Sequence, residues 1–211
     1  MNEETILHKI AISCSYCMIA VSVKNTCWEM KVDRNGQAAI LSESELKELF
    51  DYASPKYKAV FGICLFTGCR ISEALSLRAE DIVNNSILFR KENTKGKNKA
   101  REVSISPTLQ AYLDDADLPS RGYLFPSRNN LNQPMGSQSA HKMLDKYCDM
   151  LGIKGASTHS FRRTALTMMC NAGIPFSVIQ DISGHASLDV LSRYLSVSPE
   201  QKKGAISAIT F

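Results

Sequence analysis

The chain has 211 residues, of which 44% are hydrophobic and 22% charged, with a formal net charge of +4. This is long enough for one domain to bury its own core without disulfides or metals. The composition excludes a collagen-like or wholly disordered chain, and no apolar run reaches the roughly 18 residues that a membrane-spanning helix needs. Seven scattered cysteines, an odd number, do not read as a disulfide framework and suit small apolar fillers in a reducing cytoplasm.

Residues 1–39 read as an N-terminal extension. Within it Ile10 to Val23 is an apolar and small run, too short for a bilayer. Glu3 and Glu4 beside Lys9 make a poor start for a signal peptide, so a strand or a helix packed on the main domain is expected. Cys14 and Cys17 have zinc-like spacing but no second ligand pair follows. The organised region, 40–211, opens with Ser42-Glu43-Ser44-Glu45, a capping box ahead of Leu46, Leu49 and Phe50 at helical spacing. A second helix is predicted from about Lys56 to Phe66, halted at Thr67-Gly68-Cys69, and a third from Ile71 to about Leu77. Ser86 to Arg90 and Arg101 to Ile105 read as two strands of a hairpin around Gly96. Ser106-Pro107 starts a helix, Gly122 to Pro134 is a loop, and a helix from about Ser137 to Leu151 stops at Gly152. Helices are then predicted over His159 to Cys170, Pro175 to Ile182, Ser187 to Leu195 and from Pro199 onward. The fold class is therefore mainly α with a small antiparallel β-sheet (α+β).

Charge is focused. From Arg90 to Arg101 there are six basic residues and one acid, a local net of +5; this suits a polyanion and equally a solvated hairpin. Five other features stand out, each with an ordinary reading when taken singly. Arg70 follows a helix-ending Gly and has Glu73 three residues on as a surface partner. His159 and Arg162 share a helical face. His185 follows Gly184 at a helix stop. Tyr194 reads as a half-buried packing residue, and Lys95 as a solvated charge. Together, two Arg, two His, a Lys and a Tyr meet the demands of metal-free phosphoryl transfer. Arginine forks bind phosphate oxygens bidentately and stay charged. Two of them stand in for metal ions. A tyrosine hydroxyl needs cationic surroundings or a base to become a nucleophile, and the leaving sugar oxygen needs a proton from a Lys or His.

In order and spacing the set resembles the tyrosine recombinase, or phage integrase, family. The boxes are Thr67-Gly68-Cys69-Arg70-Ile71-Ser72-Glu73-Ala74-Leu75, Thr158-His159-Ser160-Phe161-Arg162-Arg163-Thr164-Ala165, and Gly184-His185 followed by Tyr194. The resemblance spans roughly residues 40–205. It implies a mixed, mainly α catalytic domain that cleaves and rejoins duplex DNA through a 3′-phosphotyrosine, with no cofactor, metal or ATP. By resemblance Tyr194 is the nucleophile and Arg70 and Arg162 clamp the phosphate. Lys95 protonates the leaving 5′-oxygen, His159 assists proton transfer, His185 bonds the phosphate, and Glu73 orients Arg70 or a neighbour. A one-residue change in turn length would put Lys97 or Lys99 in place of Lys95. Lys97, Lys99, Arg101 and Arg163 are expected on the DNA backbone, Arg163 alternatively in a structural role.

Family members usually carry an N-terminal helical DNA-gripping domain. Here about 40 residues precede the catalytic region, so a catalytic domain nearly alone is expected, with weak, salt-sensitive binding. The expected partners are duplex DNA, further copies of the chain as a dimer or tetramer on that DNA, and accessory DNA-binding proteins; no membrane is implied. Residues Pro199 to Phe211 are expected to dock on a neighbouring subunit or fold back. Two other readings stay open: a catalytically silent DNA-binding remnant or regulator of a mobile element, and a type IB topoisomerase-like relaxing enzyme.

Overall fold

The computed structural model describes residues 37–91 and 100–187, together with 203, 204, 206 and 207. Residues 1–36, Lys95, Lys97 and Lys99 at the basic turn, and Tyr194 with the helix expected around it lie outside the described residues.

Helix α1, Glu43–Tyr52, begins as the capping box predicts. Ser42 Oγ accepts from Glu45 N, and a Glu45 carboxylate oxygen accepts from Ser42 N at 2.8 Å. Its buried face is Leu46, Leu49 and Phe50, a 3–4 spacing that sets one stripe against the core. Helix α2, Pro55–Thr67, is apolar nearly all round, with Ala59, Val60, Phe61, Ile63 and Cys64 buried; such a helix belongs in the middle of a domain. It packs against α3 (Ile71–Leu75), α4 (Pro107–Asp115) and α6 (Thr158–Asn171). Phe61 and Phe161 stack at 4.9 Å between α2 and α6, and Phe50 stacks on Tyr112 of α4 at 5.2 Å. Helix α5, Ser137–Leu151, lays Ala140, Leu144, Tyr147 and Cys148 on the same core and ends at Gly152, φ +70°. The four described cysteines, Cys64, Cys69, Cys148 and Cys170, are buried.

The sheet has three antiparallel strands in the order β1 (Ile82–Val83), β2 (Ser86–Phe89) and β3 (Arg101–Ser104). The hairpin of β2 and β3 was expected; β1, only two residues long, leaves no periodicity for the sequence to display. Ile87 pairs with Val103 and Phe89 with Arg101. Ile87, Phe89 and Val103 face the core while Leu88 and Glu102 face outward, the period-2 alternation of a sheet with one solvated face. Helix α3 closes at Leu75, two residues short of its expected end.

Beyond α6 the chain turns into α7, Phe176–Ser183, which ends at Gly184 in the left-handed region, φ +67°. The α6–α7 corner has a small apolar cluster of its own, Leu166, Cys170 and Ile179. It is separate from the main core, and α7 meets the body of the domain through Ile182, which packs against the main core, and through polar contacts at its last turn.

Candidate active site

Helix α2 stops because Gly68 takes φ +61°, a conformation that costs an L-residue with a Cβ roughly 1–2 kcal/mol. Thr67 Oγ1 donates back to the Ile63 carbonyl at 2.7 Å and accepts from Cys69 N, closing the turn. This delivers Arg70 in extended conformation to the start of α3. Glu73, one turn on, accepts from Arg70 N at 3.1 Å with one oxygen and from Arg70 Nη1 at 3.0 Å with the other. The pairing expected between these two residues is present, but not as a surface bridge: Glu73 is 1% exposed and Arg70 half-buried. Burial alone would raise the Glu73 carboxyl; the Arg101 and Arg70 charges outweigh it and hold the group below its ordinary value.

Arg162 enters from α6 at 4% exposure. Its Nη1 donates to the Gly68 carbonyl at 2.6 Å and the Ser183 carbonyl at 2.8 Å. One side chain therefore ties the α2–α3 turn to the end of α7. Its Nη2 lies 2.8 Å from His185 Nε2. Burial, and then the nearby Arg70 charge, bring its pKa down to about 10, so it remains charged at neutral pH.

His185 is 6% exposed. Burial, and then Arg162, push its pKa down to about 3, so the ring is neutral. Ser183 Oγ reaches the Gln180 carbonyl at 3.4 Å and His185 Nδ1 at 2.7 Å. Arg162 can only donate, which makes Nε2 the acceptor; in that tautomer of the neutral ring Nδ1 carries the proton and donates to Ser183 Oγ. Ser183 was not among the residues singled out from the sequence. Its only signal was its place two residues before a candidate histidine.

Arg101 is the main departure from expectation. It opens β3 on the core face, 9% exposed, and donates to Glu73 at 2.7 Å and to the Ile182 carbonyl at 2.9 Å. It lies inside, paired with a carboxylate, instead of among the surface cations that would touch DNA. Arg163 donates to the Ala38 carbonyl, the structural alternative for this residue. His159 stands exposed on the first turn of α6, one turn before Arg162.

The structure thus gathers Arg70, Arg101, Arg162, Glu73 and His185 where the α2–α3 turn, β3, α6 and the end of α7 meet. Three guanidinium groups meet beside a neutral histidine, and two of them, those of Arg70 and Arg101, pair with the one carboxylate of Glu73. Two positive charges are left over, in a partly desolvated setting that favours an anion. No group of three or more metal-ligating side chains occurs among the described residues, and no described helix is long and apolar enough to cross a membrane.

The sequence profile of the phage integrase family matches residues 39–201. The chain belongs to the phage integrase family. Among other members, a tyrosine recombinase of Pseudothermotoga lettingae is 28% identical over 176 residues, 80% of this chain and 60% of that protein. The chain therefore spans less than two thirds of the length of that relative. In three dimensions this integrase-family chain resembles the XerA recombinase crystal structure, with TM-score 0.67, 21% identity, 82% of this chain covered and 65% of the other. It is also similar to the catalytic domain of bacteriophage HP1 integrase, with TM-score 0.62, 26% identity, 82% of this chain covered and 95% of the other.

Proposed function

We propose that residues 40–211 form the catalytic domain of a tyrosine-type site-specific recombinase that cleaves and rejoins duplex DNA in the cytoplasm, with residues 1–39 as an extension. The observation that carries this reading is the meeting of Arg70, Arg162 and His185 around one buried carboxylate, with surplus positive charge. Family membership supports it.

In this reading the scissile phosphodiester lies against Arg70 and Arg162, whose N–H groups bond its non-bridging oxygens. The Tyr194 oxygen attacks phosphorus, the P–O5′ bond breaks, and a 3′-phosphotyrosine forms. The tyrosine proton leaves with help from His159, and the 5′-oxygen takes a proton from Lys95, or from Lys97 if the turn is one register different. Two fixed guanidinium groups do the charge stabilisation for which other nucleases use metal ions. The phosphotyrosine keeps the bond energy, so attack by the 5′-hydroxyl of another strand restores the phosphodiester without ATP. The contacts of the His185 ring nitrogens with Arg162 and Ser183 support a first role in orienting Arg162; bonding the phosphate directly would require the ring to release that partner. Exchange between two duplexes requires several protomers on the DNA, with accessory DNA-binding proteins setting the direction.

The test is a nicked duplex carrying repeats that flank the gene, mixed with protein in EDTA at low salt and run on a denaturing gel, with Tyr194→Phe alongside. A covalent protein–DNA band in the wild type alone is the expected result. A band that persists in Tyr194→Phe would overturn the nucleophile, and binding without any band would make the chain a silent DNA-binding remnant.

A further inference from the structure

The period-2 alternation of β3 places Arg101 on the core side with Val103. A buried guanidinium is costly unless its donors are met. Those of Arg101 are met from two separate parts of the fold. Nη2 donates to Glu73 Oε2 at 2.7 Å, and Nε to the Ile182 carbonyl at 2.9 Å. The group also lies over the Phe89 ring, 4.2 Å from its centroid. Ile182 belongs to the last turn of α7, where carbonyls lack intrahelical partners and the helix dipole favours a cation. The next carbonyl, that of Ser183, is taken by Arg162. Two arginines therefore cap the end of α7 side by side, and the same two groups reach back to the α2–α3 segment, Arg101 through Glu73 and Arg162 through Gly68. The fit at the junction is close. A Cβ on Gly184 would stand 2.7 Å from Arg101 Nη1, so the residue before His185 leaves room for this side chain only as glycine.

We propose that Arg101 is a positioning residue for the reaction. By bonding Glu73 and the Ile182 carbonyl together, it sets where Arg70 stands relative to the Gly184-His185 turn. The role rests on the recombinase reading for its consequence, but not for its geometry. Arg101 itself touches no DNA. Glu73 transmits its effect, since one carboxylate holds both Arg70 and Arg101.

The test uses the full chain with Arg101→Lys and Arg101→Gln, each in three measurements. The first is the single-turnover rate of covalent adduct formation on nicked duplex at saturating protein. The second is DNA affinity across a salt series. The third is the 15N NMR signals of the Arg70 and Arg162 guanidinium groups and the His185 ring in protein without DNA. Both variants should lower the adduct rate tenfold or more while affinity changes less than twofold and its salt slope stays the same. The Arg70 and His185 signals should both move. Adding Arg101→Lys to Glu73→Gln should slow cleavage less than twofold further, since the carboxylate linking the two arginines is already gone. Loss of about one unit of salt slope would make Arg101 a phosphate contact and overturn the proposal. So would Arg70 or His185 signals that stay in place. If the wild type forms no adduct on any flanking repeat, the recombinase reading fails, and the NMR signals alone still decide the role of Arg101. Should Arg101→Gln not fold, Arg101→Lys keeps the charge but loses the fork that serves two acceptors at once, and carries the test alone.

Discussion

Arg162 bonds to the carbonyls of Gly68 and Ser183 and to the His185 ring, so a lysine in its place keeps the charge and loses most of the geometry. Arg162→Lys is expected to fold, and to lower adduct formation by two orders of magnitude or more in the denaturing-gel assay. Arg70→Ala is expected to cost about 3 kcal/mol or more of transition-state stabilisation, the scale found for a fixed oxyanion donor; a tenfold effect or less would mean that Arg70 is not on the phosphate. His185 supplies a pH signature. Its pKa is about 3 in the folded protein, against about 6.5 in the unfolded chain. Between those values the unfolded state binds the extra proton, so stability falls as pH falls from about 6.5, at up to roughly 1.4 kcal/mol per unit. Glu73, held below its ordinary value, contributes stability that is present above about 4.3 and is lost only as pH falls below that. Urea unfolding at several pH values should therefore show a shallower decline between pH 6 and 4.5 in His185→Gln than in the wild type. An unchanged slope would mean that His185 titrates normally.

At the scale of elements, α2 is the axis. It carries Phe61, fully buried and stacked on Phe161 of α6, and it ends in the turn that presents Arg70. Phe61→Ala is expected to destabilise the domain by about 3–5 kcal/mol, read as a lower urea midpoint with little change in slope. Ser42→Ala removes one half of the α1 capping box and should cost about 1 kcal/mol, without effect on the site. Gly184→Ala joins the two concerns. It imposes a Cβ at φ +67° and drives it against Arg101. About 1–2 kcal/mol of stability should be lost from the backbone conformation alone, and more if Arg101 is displaced.

For the molecule as a whole, the site lies at a junction between a large core and the smaller α6–α7 cluster. Arg101 and Arg162 join the two parts across that junction, and Arg162 is also proposed to hold the phosphate. Stability of the junction and stabilisation of a bound anion are therefore linked, and inorganic anions such as sulfate should raise the unfolding temperature more than chloride at equal ionic strength. Adduct formation should survive EDTA unchanged, since Arg70 and Arg162 are given the task of the metal; loss of the band in EDTA would count against the proposed chemistry. Lys95→Ala should be rescued by a 5′-bridging phosphorothiolate, whose leaving group needs no proton. Rescue of Lys97→Ala instead would reassign the turn.

Most elements were legible because their signals are local. The Ser42 capping box, Pro107 at a helix start, and Gly68, Gly152 and Gly184 at helix ends all act through hydrogen bonds or backbone angles within four residues. Six candidate positions stand out as motifs in order along the chain, and four of them, Arg70, His159, Arg162 and His185, lie among the described residues. What the chain could not display by spacing is which of its arginines lie inside. Arg101 sits in the most basic stretch of the sequence, where charge alone suits a polyanion. Its place was decided by Glu73, 28 residues earlier, and by the Ile182 carbonyl, 81 residues later. The same holds for the neutral state of His185, which follows from burial against Arg162 and is not a property of Gly184-His185. Local signals determined the helices, the hairpin and the candidate residues. Tertiary structure alone decided partners, burial and charge state, because a buried ion is tolerated only where distant segments bring its counter-charge and acceptors to it.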